Sequence, residues 1–290
     1  MHAYLIMAHN DFYILETLIR MINDERNDIY IHIDQKVKNF DFDYYRRIAT
    51  KSKVFYIKRR NIQWGSFNMI KTELELYKSA MQNGNYEYYH LISGSDLPLK
   101  CQDEIHDFFG ENEGYEFIDI MRKEALSKLS DSRIDRFKYY HVFNNIGINK
   151  RGIGRANNIL LKIQKNISID RYKNAYEYGF GSQWASLTEN AVKLILEKEG
   201  WICKTYRFTH CCDEIYKQTV LCQNKNLKIY QGEIPNARYI IWDAGDASRH
   251  PHVITSDDYE ALKKSECVFA RKFDSNADKA IIDKLQKELC

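Results

Sequence analysis

Apolar residues come in short runs that alternate with segments of helical spacing along the first part of the chain. The run Tyr4–Ala8 predicts a buried strand. The polar His9-Asn10-Asp11 after it caps a helix in which Ile14, Leu15, Leu18, Ile19 and Ile22 recur with helical periodicity. Tyr30–Ile33 predicts a second strand ending on Asp34, and Val54–Ile57 a third. Residues 67–82 predict an amphipathic helix with Met69, Ile70, Leu74, Tyr77 and Met81 on one face. Tyr88–Ile92 predicts a fourth strand, stopped by Ser93-Gly94-Ser95-Asp96-Leu97-Pro98, and Phe117–Ile120 a fifth.

This alternation predicts an α/β fold with a mainly parallel sheet flanked by helices. In such sheets ligands sit beyond the carboxyl ends of the strands. His9, Asp34, Arg59, Arg60, Ser95 and Asp96 all fall at those ends, which predicts a polar, nucleotide-sized crevice. No repeat, low-complexity stretch or Pro/Gly linker interrupts the chain. The segment from about 144 to 176 reads as an excursion from the core, a helix and loop on the acceptor side.

At 290 residues the chain is near the upper limit for one core. The expectation is one domain over 1–290, with a nucleotide-binding half (1–120) and an acceptor and catalytic half (121–290). A net charge of +3 argues against nucleic acid. Basic residues cluster only locally, at Lys58-Arg59-Arg60 and Arg271-Lys272, as suits a small anionic ligand. Seven cysteines without a C-x-x-C pair read as thiols in a reducing compartment. No apolar run approaches the ~20 residues of a membrane span, and the first residues enter a strand rather than a leader peptide. A cytoplasmic location is expected, with room for peripheral membrane association through a lipid-linked acceptor.

An enzyme that uses nucleotide sugars must neutralise a departing diphosphate and activate a hydroxyl. Where metal-dependent enzymes of that kind carry Asp-x-Asp, this chain has a single carboxylate, Asp96. The Asp41-Phe42-Asp43 triplet reads as a helix N-terminus, where Asp is favoured. His210, Cys211, Cys212 and Asp213 lack the second half of a zinc site.

Taken in order, several motifs resemble the core-2/I-branching β-1,6-N-acetylglucosaminyltransferases and the related peptide O-xylosyltransferases. They are Ala3-Tyr4-Leu5-Ile6-Met7-Ala8-His9, Tyr30-Ile31-His32-Ile33-Asp34, Gln63-Trp64-Gly65-Ser66, and Tyr89 through Pro98. They continue with Gly181-Ser182-Gln183-Trp184, Cys212-Asp213-Glu214, Arg249-His250-Pro251, and Phe269-Ala270-Arg271-Lys272-Phe273-Asp274. The resemblance implies a GT-A fold and an inverting transfer from a UDP-sugar that needs no metal or other cofactor. It assigns Glu214 as general base, Arg249 and Lys272 as the diphosphate-binding cations, and Arg133, Arg136, Trp242 and Ser182 to the acceptor side. Asp213 is expected to be structural, and Trp242 either to stack on a sugar or to pack in a loop. A further acceptor glutamate of the family falls on Ala125 here, with Glu124 adjacent, which leaves the acceptor open. The implied donor is UDP-N-acetylglucosamine, with UDP-xylose as the alternative. The acceptor is a glycan or glycolipid in surface polysaccharide synthesis, joined by a β-1,6-type branch. Two other readings stand beside this one: a non-catalytic nucleotide-sugar binder, and a metal-dependent transferase using Asp96 or Asp41/Asp43.

Overall fold

Every residue of β1 (His2–Ala8) is buried, which for so continuously apolar a strand means the middle of a sheet covered on both faces. The computed structural model describes residues 1–121, 131–147, 150–171, 179–242 and 251–290, with the side chains of 131–134 left aside. In it β1 pairs in parallel with β2 (Asn27–Ile33) on one side and with β4 (Tyr88–Ser93) on the other. β3 (Lys53–Tyr56) continues the parallel set beyond β2. The strand order is β3-β2-β1-β4, closed by an antiparallel edge strand at Ala185–Thr188.

Alternation along β1 sorts its side chains into two apolar layers. Tyr4, Ile6 and Ala8 pack with Ile14, Leu15 and Leu18 of α1 (Phe12–Met21) and with the last helix, Lys279–Leu289. Ala3, Leu5 and Met7 pack with Ile70, Leu74 and Tyr77 of α3 (Phe67–Asn83). The mostly parallel sheet between helices is the predicted architecture. Asp41 caps α2 (Phe42–Ile48) by accepting from the Tyr44 N–H at 2.9 Å, and exposed Asp43 pairs with Arg46, so this triplet is the helix start expected of it.

The expected fifth strand needs correction. Phe117 makes only an isolated bridge to Ser186, and the short strand Tyr115–Glu116 pairs with Lys228–Ile229 instead. The sheet edge passes to Ala185–Thr188, which the buried Glu116 carboxylate fastens by accepting from the Thr188 N–H (2.8 Å) and hydroxyl (2.6 Å). A small second sheet, Leu97–Pro98, Phe269–Arg271 and Arg238–Ile240, brings the C-terminal part of the chain alongside the loop after β4. Among the described residues no cysteine forms a disulfide, and no helix is long and apolar enough to cross a membrane.

At the opposite end of the sheet, His2, His90 and His106 form a cluster. The His2 and His106 rings stack at 4.0 Å, and His90 is hydrogen-bonded to both His2 and Ser186. Burial, with His106 adding, pushes His2 from 6.5 down to about 2; burial also drives His90 well below its usual value. These rings stay neutral in the fold but protonate in the unfolded chain below pH ~6.5. Their stabilising contribution is therefore complete above that pH and is lost as pH falls toward the folded-state values. Each such ring contributes about 1.4 kcal/mol per pH unit to the slope of stability against pH between about pH 5.5 and 4. Urea melts of His2→Gln beside the parent should show a slope shallower by about that amount, and identical slopes would contradict it.

Candidate active site

The carboxyl ends of the parallel strands bring together the residues the sequence placed there, but not all of them face outward. Asp34, buried after β2, accepts from the Lys36 N–H (2.8 Å) and the Ile62 N–H (3.2 Å), with the Lys36 ammonium 3.6 Å away. Arg59 turns its guanidinium onto the carbonyls of Ile33, Asp34 and Val37. It therefore braces the backbone just past the end of β2. Arg60 donates its N–H to His32 at 3.0 Å and pairs its side chain with Glu75 at 3.4 Å. His9 is exposed just past the end of β1. Desolvation lowers its pKa, Asp34 opposes that, and Lys36 and Lys272 add to it, so the Lys272 charge is within reach of the end of β1.

Asp96, in the loop after β4, is 1% exposed. One carboxylate oxygen accepts from the Ser93 N–H at 2.9 Å, and the other lies 3.6 Å from Arg271 Nε. Ser95 shares its hydroxyl with Ser93 at 3.1 Å, and its carbonyl accepts from the Phe273 N–H at 3.0 Å. Burial raises the Asp96 pKa and the Arg271 guanidinium opposes the rise. Arg271 in turn lies over the Trp184 ring, 4.5 Å from its centroid. The lone carboxylate in the Asp-x-Asp place is thus matched to an internal cation. Among the described residues no group of His, Cys, Asp and Glu has metal-holding geometry.

Glu214 closes a short 3-10 turn, Cys212–Glu214, and its half-exposed carboxylate takes a 2.7 Å hydrogen bond from Arg136 on the helix Asp131–Lys138. The turn is fixed from two sides. Gly65, at φ +69°, approaches so closely that a Cβ there would lie 2.5 Å from the His210 ring; its carbonyl accepts from the Cys211 N–H at 3.0 Å. Beneath it, Glu73 of α3 gathers three segments. It accepts from Gln183 (2.8 Å) and from the Tyr216 hydroxyl (2.6 Å), and it pairs with the Lys217 ammonium. Both members of that ion pair are completely buried. Asp213 is buried as well. Desolvation, with Glu214 and Glu73 adding, pushes its carboxyl up to about 8, which leaves it mostly neutral near pH 7 and unsuited to the ionised role.

Trp242, two residues past the strand Arg238–Ile240, is 62% exposed. Ser182 accepts from the Trp184 N–H at 3.2 Å, forming the turn that aims Trp184 at Arg271. Arg249, Glu124, Ala125 and the side chain of Arg133 lie outside the described residues.

The sequence reading missed Glu73 and Lys217, although a carboxylate on the apolar face of α3, between Ile70 and Leu74, was a signal. Buried Arg238, which donates to the Leu91 carbonyl (3.2 Å) and to Ser186 (3.0 Å), had no such signal.

Comparison with known proteins gives a match to the family model described as Branch, Core-2/I-Branching enzyme, over residues 2–264. The Drosophila melanogaster protein named xylosyltransferase oxt is 22% identical over 94% of this chain and 31% of its own length. The Arabidopsis thaliana beta-glucuronosyltransferase GlcAT14B is 25% identical over 72% of this chain and 45% of its own. The chain thus spans less than half the length of these curated relatives. A solved structure of S. aureus TarS overlaps 41% of this chain and 21% of its own at 16% identity, with a TM-score of 0.29, too slight a likeness to argue from.

Proposed function

The chain belongs to the Core-2/I-Branching enzyme family, and from that premise we propose that it is an inverting glycosyltransferase of GT-A type that uses a UDP-sugar without a metal. The observation that carries this reading is the Arg136–Glu214 contact at 2.7 Å. It joins the residue assigned as base to a residue assigned to the acceptor side, from distant parts of the chain. A general base has to be held rigidly and remain reachable. Glu214 meets both needs, being held by Arg136 and by the turn while still half exposed.

In the proposed reaction Glu214 takes the proton of an acceptor hydroxyl as that oxygen attacks the anomeric carbon. The bond to UDP breaks on the opposite face, which inverts the configuration. Negative charge then grows on the diphosphate, and fixed cations placed there stabilise the transition state. Lys272 acts as a point charge and Arg249 as a bidentate fork. Arg271 holds Asp96 and stacks on Trp184, and so fixes the start of the segment that delivers Lys272. The pairing of Asp96 with Arg271 supports a metal-free site over an Asp96 metal site.

The donor sugar is proposed as N-acetylglucosamine and the product as a branched surface glycan. The names of the relatives make xylose and glucuronic acid the other sugars to screen. Calorimetric titration of UDP in EDTA and again with manganese tests the reading. Similar affinity in both buffers, weakened at least ~tenfold in Lys272→Ala, is the expected result. Binding that requires manganese would turn the mechanism toward Asp96, and no binding in either buffer would remove the UDP-sugar assignment.

A further inference from the structure

The helix Ile153–Asn166 sets Ile153, Leu160 and Leu161 half-buried on its inner side beside two buried polar residues, and leaves other apolar residues outward. Its buried side chains are Asn157 and Gln164. The Gln164 amide grips the backbone of Tyr140, accepting from its N–H at 2.8 Å and donating to its carbonyl at 2.9 Å. On the outer flank Ile159, Ile163 and, just past the end, Ile167 are 60%, 50% and 63% exposed. Spaced four apart, they form one stripe along the helix. Single exposed isoleucines are unremarkable, but three in register on the flank that faces away from the fold are not accounted for by its packing. Arg155 and Lys162 are exposed beside the stripe, and no Asp or Glu occurs between Asp135 and Asp170.

We propose that this helix is a docking surface for an anionic lipid bilayer, lying in the interface with its isoleucines in the acyl boundary and its cations on the phosphates. Charge complementarity selects this occupant. A second copy of the chain would set the same cations against themselves, whereas an anionic bilayer supplies both an apolar layer and counter-charge. The helix has 14 residues and is interrupted by cations, so it lies on the membrane rather than across it. Its placement also bears on function. Lys165 of this helix pairs at 2.7 Å with Asp135, the neighbour of Arg136, which holds Glu214. Docking thus brings the acceptor side of the site close to the membrane surface, where a lipid-linked acceptor would be.

Co-sedimentation of the full chain with vesicles tests this, using phosphatidylcholine alone and phosphatidylcholine with about a third phosphatidylglycerol. The protein should bind the anionic vesicles, and less so at high salt. Ile159→Gln/Ile163→Gln should lower partitioning at least ~tenfold. Arg155→Gln/Lys162→Gln should lower it about fivefold per charge. All these positions are exposed, so circular dichroism and UDP affinity should be unchanged. The readout does not depend on turnover, so it stands apart from the proposed reaction. Failure of the unaltered protein to sediment with anionic vesicles overturns the proposal, as does binding that neither variant weakens. A lipid-free dimer that dissociates in the isoleucine variant would also overturn it, by making the stripe a subunit contact.

Discussion

Glu214→Gln should lower turnover by roughly 10²–10⁴-fold, the range that a positioned general base supplies, while UDP affinity changes by less than about threefold. The substitution keeps the shape of the side chain and a hydrogen-bond acceptor for Arg136. It removes the capacity to take the acceptor proton. In the proposed reaction UDP is held at the strand ends and by the cations, and none of those contacts passes through Glu214. Single-turnover rates with the best donor, beside calorimetry with UDP, separate the two effects. Near-normal turnover would take the base assignment away from Glu214. Neighbouring Asp213 would be a poor replacement, because burial raises its pKa to about 8 and makes it the less available carboxylate.

The largest loss of stability should come from breaking the ion pair beneath the site. Lys217→Met leaves Glu73 charged at a completely buried position, and an uncompensated buried charge costs about 3–5 kcal/mol. In a chain of this size that corresponds to a fall in Tm of roughly 5–8 °C. The double variant Glu73→Gln/Lys217→Met removes both charges and keeps an amide that can bond Gln183 and Tyr216. It should regain most of the stability, because replacing both members of a buried pair is often close to neutral. Urea melts of the single and double variants decide the matter. A single variant within ~1 kcal/mol of the parent would mean that the pair is not what anchors the turn before Glu214.

Much of the framework was legible because local pattern determines it. Tyr4–Ala8, Tyr30–Ile33, Val54–Ile57 and Tyr88–Ile92 were each predicted within a few residues of the observed strands, and the helix at 67–82 is Phe67–Asn83. A strand buried on both faces reads as a continuous apolar run, and a helix against a sheet as an apolar stripe. Phe117–Ile120 failed for the same reason that these succeeded. It is as apolar as the strands, but apolarity reports burial, and burial does not by itself supply a pairing partner.

The site was legible as a set of positions and not as a set of contacts. His9, Asp34 and Asp96 follow the carboxyl ends of β1, β2 and β4, as the sequence pattern placed them. Nothing local in Lys58-Arg59-Arg60 says that the Arg59 guanidinium turns onto the carbonyls of Ile33 and Asp34. Gln63-Trp64-Gly65-Ser66 was visible as a motif, and its physical purpose emerged only from the packing of Gly65 against His210.

The sequence by itself determined the alternation of strands and helices and the gathering of polar and charged residues at the strand ends. These follow from interactions between neighbours in the chain, and periodicity records them. Only the tertiary structure decided that Asp96 answers Arg271, that Glu73 ties Gln183 to Lys217, and that Arg136 holds Glu214. Each of these is a pairing between residues far apart in sequence, and its energy depends on burial and on distances of a few ångströms. Chain folding sets both, and neither leaves a periodic trace in the order of the residues.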